Sequence, residues 1–208
     1  MDEEFFDLVI VVPQGGSYFS SNTDHRNGVY GKLGQISLEV EVTSANNGLV
    51  MTELDFIIQD SLTGAQTELR EFQLEILDFD TNRPQNLKER VCVDSDQIDK
   101  SESRLSTSSA IKVTETQGTD CAGKASLSGS IELEGEGVGF ACDNPTSSED
   151  VSVLGCESCF TADQCKNPKN SQYFPLNRTE RTSFIAFKRG SSFSVSLGIL
   201  CQKNVGDS

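Results

Sequence analysis

The chain has no tryptophan, three tyrosines and a single histidine, His25, among its 208 residues. Each shortage removes a class of chemistry. Serine-histidine-acid hydrolysis would have to recruit His25. That residue lies in a polar stretch over residues 21–28 and reads as an exposed side chain, and no Gly-x-Ser-x-Gly elbow accompanies it. Sugar-handling sites stack rings on aromatic platforms, for which this chain has little material. No apolar run approaches the ~20 residues of a membrane-spanning helix. No segment keeps apolar residues at i, i+3, i+4 and i+7 over three turns, so long amphipathic helices are not expected. Gly135-x-Gly137-x-Gly139 lacks both the spacing and the following helix of a dinucleotide fingerprint. Basic charge is scarce as well. Against 32 Asp and Glu there are 17 Lys and Arg, a net charge of −15. A surface of that sign repels nucleic acid and anionic membranes, so neither is an expected partner.

A secretory leader is also missing from the given chain. Residues 1–12, MDEEFFDLVIVV, open acidic where a leader is basic, and Asp7 breaks a short apolar run. The expectation is a mature or excised segment.

What is present is β patterning. Residues 5–12 form an apolar, β-prone run stopped by Pro13 and the pair Gly15-Gly16. Residues 35–43 alternate, with Ile36, Leu38, Val40 and Val42 on one side and Ser37, Glu39 and Glu41 on the other. Residues 51–59 repeat this through Leu54, Phe56 and Ile58, and residues 71–79 through Phe72, Leu74 and Ile76. Strands are further expected over 90–94, 110–115, 126–134 and around Val138 and Phe140. Residues 182–188 and 192–200 are expected to pair as a hairpin across Arg189-Gly190, with Phe193, Val195, Leu197 and Ile199 buried. Eight to ten short strands separated by turn residues predict an all-β chain. The architecture expected is a single antiparallel β-sandwich, jelly-roll-like, over residues 1–208. The polar stretch 96–109 reads as irregular, without marking a domain boundary.

Between two of these strands lies an acidic loop. Asp78, Asp80, Asn82 and Glu89 occupy the first, third, fifth and twelfth places of a twelve-residue window, the ligand rhythm of a calcium loop. Calcium takes six to eight oxygens, and alternate residues of a tight loop converge on one point. Arg83 stands where glycine makes the usual sharp turn, Pro84 follows, and the flanks are strands, so this is no EF-hand. Asp78, Asp80, Asn82 and Glu89 are the candidate Ca2+ ligands, and Asp94 and Asp96 offer a second set. The plainer reading is an exposed acidic turn.

Seven cysteines stand at 92, 121, 142, 156, 159, 165 and 201. Cys142, Cys156, Cys159 and Cys165 cluster in an irregular stretch, residues 142–173, that reads as a long loop pinned by disulfides. Four thiolates there could hold zinc, but only one CxxC knuckle is present, and a redox CxxC lacks its βαβ setting. Disulfides in an oxidising compartment are the favoured use. Cys92 with Cys121 is one separate bridge to expect, and Cys201 completes the set. Seven is odd, so at least one is unpaired within the chain. Asn177-Arg178-Thr179 is a glycosylation sequon.

Three stretches carry a resemblance: Asp78 to Asp80 closing a strand, Glu89-Arg90-Val91 opening the next, and the late run from Ser192 to Gly198. Together they resemble jelly-roll ectodomains of secreted and cell-surface proteins. The resemblance implies structural calcium at the acidic strand end.

The function expected is a non-enzymatic extracellular module of adhesion, matrix or surface assembly, stabilised by disulfides and calcium. Its partners would be protein or glycan surfaces, with self-assembly open to it. The alternatives are a carbohydrate-active protein, either a lectin-like binder or a two-carboxylate glycosidase, and a lumenal subunit of a larger assembly.

Overall fold

The computed structural model describes residues 5–16, 18, 28–30, 33–36, 48–76, 81, 87–105, 111–121, 123–136 and 183–201. Among these residues there are ten strands and no helix: β1 (Phe6–Val11), β2 (Gly28–Tyr30), β3 (Leu33–Gln35), β4 (Leu49–Asp60), β5 (Phe72–Ile76), β6 (Leu87–Asp94), β7 (Ile111–Thr116), β8 (Ser130–Gly135), β9 (Ser183–Phe187) and β10 (Ser192–Cys201). Every pairing is antiparallel. A six-stranded sheet runs β1-β4-β10-β6-β8-β7, and two-stranded sheets join β2 to β3 and β5 to β9.

Alternation sets the faces. In the large sheet the register aligns Thr52, Leu197, Val91, Leu133 and Val113 in one row across five strands. Side chains two residues away along each strand share that face. Leu54, Phe56, Val93, Ile131, Phe193 and Val195 therefore join it, and all six are buried. The β5–β9 pair contributes Ile185, fully buried, and Phe187. Phe187 lies opposite Phe72 in the β5–β9 register and its ring sits 4.1 Å from that of Phe193, so the small sheet rests on the large one through aromatic rings.

The expected hairpin of 182–188 with 192–200 does not form. β9 pairs β5, while β10 lies between β4 and β6. Between β9 and β10 the chain passes from one sheet to the other, and Gly190 is held there by paired backbone hydrogen bonds with Leu69. The reason is burial on both sides. In a hairpin Phe187 and Phe193 would point from the same sheet, whereas the crossing lets their rings face each other from two sheets.

Residues 97–105 are also more ordered than their polarity suggests. Ile98 is buried in the core, and the segment hydrogen-bonds to β9 through Asp99, Arg104 and Gln97. The strand expected over 126–134 starts only at Ser130. Gly129 has φ +74, and a side chain there would run into the Thr116 carbonyl oxygen, so glycine alone fits. Most of the strand expected over 35–43, the residues Val138 and Phe140, and the loop 142–173 lie outside the described residues.

Candidate functional site

Three places bear on function: the connection from β5 to β6, which the sequence singled out, the solvent-side face of β6 and β8, and the outer edge of β1.

At the β5–β6 connection, Asp78, Asp80 and Asn82 lie outside the described residues, as do His25, Cys142, Cys156, Cys159, Cys165 and Asn177. Thr81 is described. It is buried and bridges Lys88 on β6. Glu89 is exposed on β6, opposite Ile199 of β10. Among the described residues no three His, Cys, Asp or Glu side chains converge closely enough to hold a metal ion. Cys201 ends β10 opposite Leu87.

The second place is a charged ladder. Lys88 and Arg90 of β6 point to the same face as Glu132, Glu134 and Glu136 at β8, because all five have even numbers in register-paired strands. Lys88 Nζ lies 3.0 Å from Glu134 and 2.9 Å from Glu136. Arg90 Nε donates to Glu134 at 2.8 Å, and its guanidinium also pairs with Glu132. Burial pushes the Glu134 carboxyl up, but the Lys88 hydrogen bond and the charges of Arg90, Lys88 and Lys112 outweigh it and hold it below its ordinary range. Burial likewise lowers Lys88, and Glu136 and Glu134 more than reverse this, leaving it raised. Both directions favour the ionised pair. A glycosidase acid needs the opposite, a carboxyl raised so that it stays protonated.

Beside the ladder, Cys92 is bonded to Cys121, with Cα atoms 5.6 Å apart. Cys121 is carried by the β7–β8 connection, whose residues 117–121 and 123–126 turn back on themselves through Asp120, Gly123 and Ser126. The bridge folds this turn over the sheet and leaves Cys92 only 4 % exposed on the face away from the core. Asp94, at the end of β6, accepts a hydrogen bond from the Cys121 N–H at 3.2 Å. Burial, with the charges of Asp120 and Asp96, keeps its carboxyl above the ordinary range.

These shifts give a pH dependence. Glu134 is depressed in the folded chain, so its contribution is complete above the ordinary value of 4.5 and is lost as pH falls through the depressed value. Asp94 is raised, so it works the other way: its term is best below 3.8 and falls away as pH rises through the raised value. Glu134→Gln leaves Lys88 and Arg90 short of a partner and is expected to cost about 1–3 kcal/mol at neutral pH. Denaturant melts across pH should show that gap closing on acidification. A gap independent of pH would mean that packing, not charge, holds Glu134.

The third place is the rim of the large sheet. β1 pairs β4 on one side, and no strand of the described residues pairs its other side. Ser61 N–H donates to the Phe5 carbonyl, so the odd residues of β1 turn their backbone groups to β4. The N–H and C=O groups of Phe6, Leu8 and Ile10 therefore point outward. The side chains are apolar yet uncovered: Phe5 is 61 % and Leu8 50 % exposed, with Phe6, Ile10, Val11 and Val12 also exposed. Asp7 is the one charge in the strand, and its carboxylate accepts a hydrogen bond from Ser61 Oγ at 2.9 Å. The opposite rim, β7, is built differently. Its sequence IKVTET places Lys112 and Glu115 on the edge, and Glu115 pairs with Lys100 at 2.7 Å. Charged edges of that kind resist pairing with other chains, and a bare apolar edge invites it.

Composition pointed to the cysteines and acids as the functional residues and passed over β1, whose signal was the apolar run FFDLVIVV, interrupted by Asp7 alone and without lysine or proline. No family model, curated protein or solved structure matches the chain.

Proposed function

We propose that the chain is a non-enzymatic module of extracellular adhesion, matrix or surface assembly, with its six-stranded sheet and the β5–β9 pair packed as a jelly-roll-like sandwich. The observation that carries this is the contrast between the rims of one sheet: β7 is guarded by charge, while β1 presents outward backbone groups flanked by exposed apolar side chains. The Cys92–Cys121 bridge supports an oxidising compartment. The paired state of the β6–β8 carboxylates supports a structural use of these acids.

The reading is tested with beads coated with the full, oxidised chain. They are expected to cluster or to adhere to extracellular matrix, while a glycan array and a glycosidase panel stay blank. Beads that remain dispersed and unattached would remove the assembly reading. A sugar ligand, or turnover lost with one carboxylate substitution, would replace it with a carbohydrate-active protein.

Calcium belongs to the same proposal, with Asp78, Asp80, Asn82 and Glu89 as its ligands. Saturating calcium is expected to raise the unfolding free energy by about 2.7 kcal/mol at a hundredfold excess over the dissociation constant. Asp80→Ala should abolish the gain. Melting curves that coincide with and without calcium would end the idea.

A further inference from the structure

We propose that the partner of the β1 edge is the β1 edge of a second copy, paired antiparallel about a two-fold axis at Leu8. The inference rests on the assembly reading and names the partner that reading leaves open.

The backbone parity selects the centre. Phe6, Leu8 and Ile10 carry the outward N–H and C=O groups. With the axis at Leu8, Leu8 faces Leu8 of the other copy, Phe6 faces Ile10, and Ile10 faces Phe6. All three pairs exchange backbone hydrogen bonds. The axis stands perpendicular to the sheet, so the faces of the two copies stay in register. Phe6, Leu8 and Ile10, which share the core-side face with Phe56 and Ile58, then meet their counterparts in one continuous apolar row. The two six-stranded sheets become one.

Area favours this occupant, and charge selects its register. Two copies of so acidic a chain repel at long range, and among the described residues of β1 Asp7 is the one charge that the edge would bring close. In the Leu8-centred register Asp7 lies opposite Val9, and its carboxylate is already turned to Ser61. An axis at Asp7 itself would set the two acids against each other and is disfavoured. The exposed parts of Phe5, Phe6, Leu8, Ile10, Val11 and Val12 amount to roughly 500 Å² per copy, or ~1,000 Å² for the pair, an upper bound on the apolar area that pairing covers and the lower limit for a specific interface, as befits a weak, reversible dimer. A symmetric dimer comes up to that limit only because each copy supplies the same patch.

Sedimentation of the full chain across a wide concentration range, with and without reductant, tests this. The expected result is a reversible monomer–dimer equilibrium that survives reductant. Leu8→Lys, which places two like charges face to face on the axis, is expected to weaken the dimer by about a hundredfold. Leu62→Lys, at an exposed residue off the edge, should leave it unchanged. Hydrogen exchange of the wild type guards against a misfolded variant: the Phe6, Leu8 and Ile10 amides should gain protection as concentration rises. A monomer at all concentrations, a dimer that Leu8→Lys leaves intact, or a dimer that vanishes on reduction would each overturn the proposal. A monomer whose beads still cluster or adhere would sink self-pairing alone, and a monomer whose beads do neither would sink the assembly reading with it.

Discussion

Replacing Cys92 and Cys121 together by alanine is expected to lower the unfolding free energy by about 3–4 kcal/mol, the entropy released to the unfolded chain when a loop of this length is opened. The two cysteines are 29 residues apart, and the loop between them contains all of β7 and the first half of the turn that covers β6. In the folded state little else should change. Cys92 is buried between Ser196 and Glu132 in the register, where alanine leaves only a small void. The effect therefore acts mainly through the unfolded ensemble, and it should carry a second mark there. A chain freed of the bridge expands further in denaturant, so the slope of free energy against denaturant should steepen. A loss below about 1 kcal/mol, with an unchanged slope, would show that the bridge contributes nothing to stability.

Phe193→Ala is expected to cost about 3–5 kcal/mol, at the upper end for a single core truncation. Its ring stands at the junction of the sheets: 4.8 Å from Phe56 within the large sheet, and 5.0 and 4.1 Å from Phe72 and Phe187 of the β5–β9 pair. Removing it empties a site lined by three aromatic rings. Those rings are tied into register-paired strands and cannot easily collapse into the void, which is the condition that makes a cavity expensive. The damage should be uneven. Amides of β5 and β9 are expected to lose more exchange protection than those of β6 and β8, because Phe193 is one of the side chains on which the small sheet rests. Phe193→Leu keeps most of the volume and should cost about half as much or less. Equal loss of protection in every strand would mean that the two sheets unfold as one unit.

Much of this fold is legible residue by residue. The alternation of Leu54, Phe56 and Ile58, of Phe72, Leu74 and Ile76, and of Phe193, Val195 and Leu197 is a local property, and each set does face the core, whereas Ile199, expected to be buried with the last set, is only half-buried. Cys92 and Cys121 could be matched because each stood apart from the later cluster, and they are bonded. The candidate site was far less legible. The calcium window drew attention by its spacing, yet of its four residues only Glu89 is among those described. The ladder of Lys88, Arg90, Glu132 and Glu134 could not be anticipated, because two strands some forty residues apart in sequence must first be laid side by side in a given register. Ile98 was hidden by its polar neighbours, and one apolar residue in such a stretch has no period to betray it.

What the amino-acid order determined by itself is the identity and face of the longer strands and the acidic, cysteine-bearing character of the chain, while the short β2 and β3 lie where a polar loop had been expected. These depend on neighbours within a few positions, where the two-residue repeat of the backbone turns sequence directly into direction. Tertiary structure alone decided which strands meet. β10 lies between β4 and β6, and β9 leaves it for β5, because Phe187 and Phe193 are buried better facing each other than side by side. It also decided which of the described strands lie at a rim. Among the described residues, the apolar run near the start of the chain became the rim of the sheet, with its side chains exposed, since an edge exists only once the other strands have taken their places.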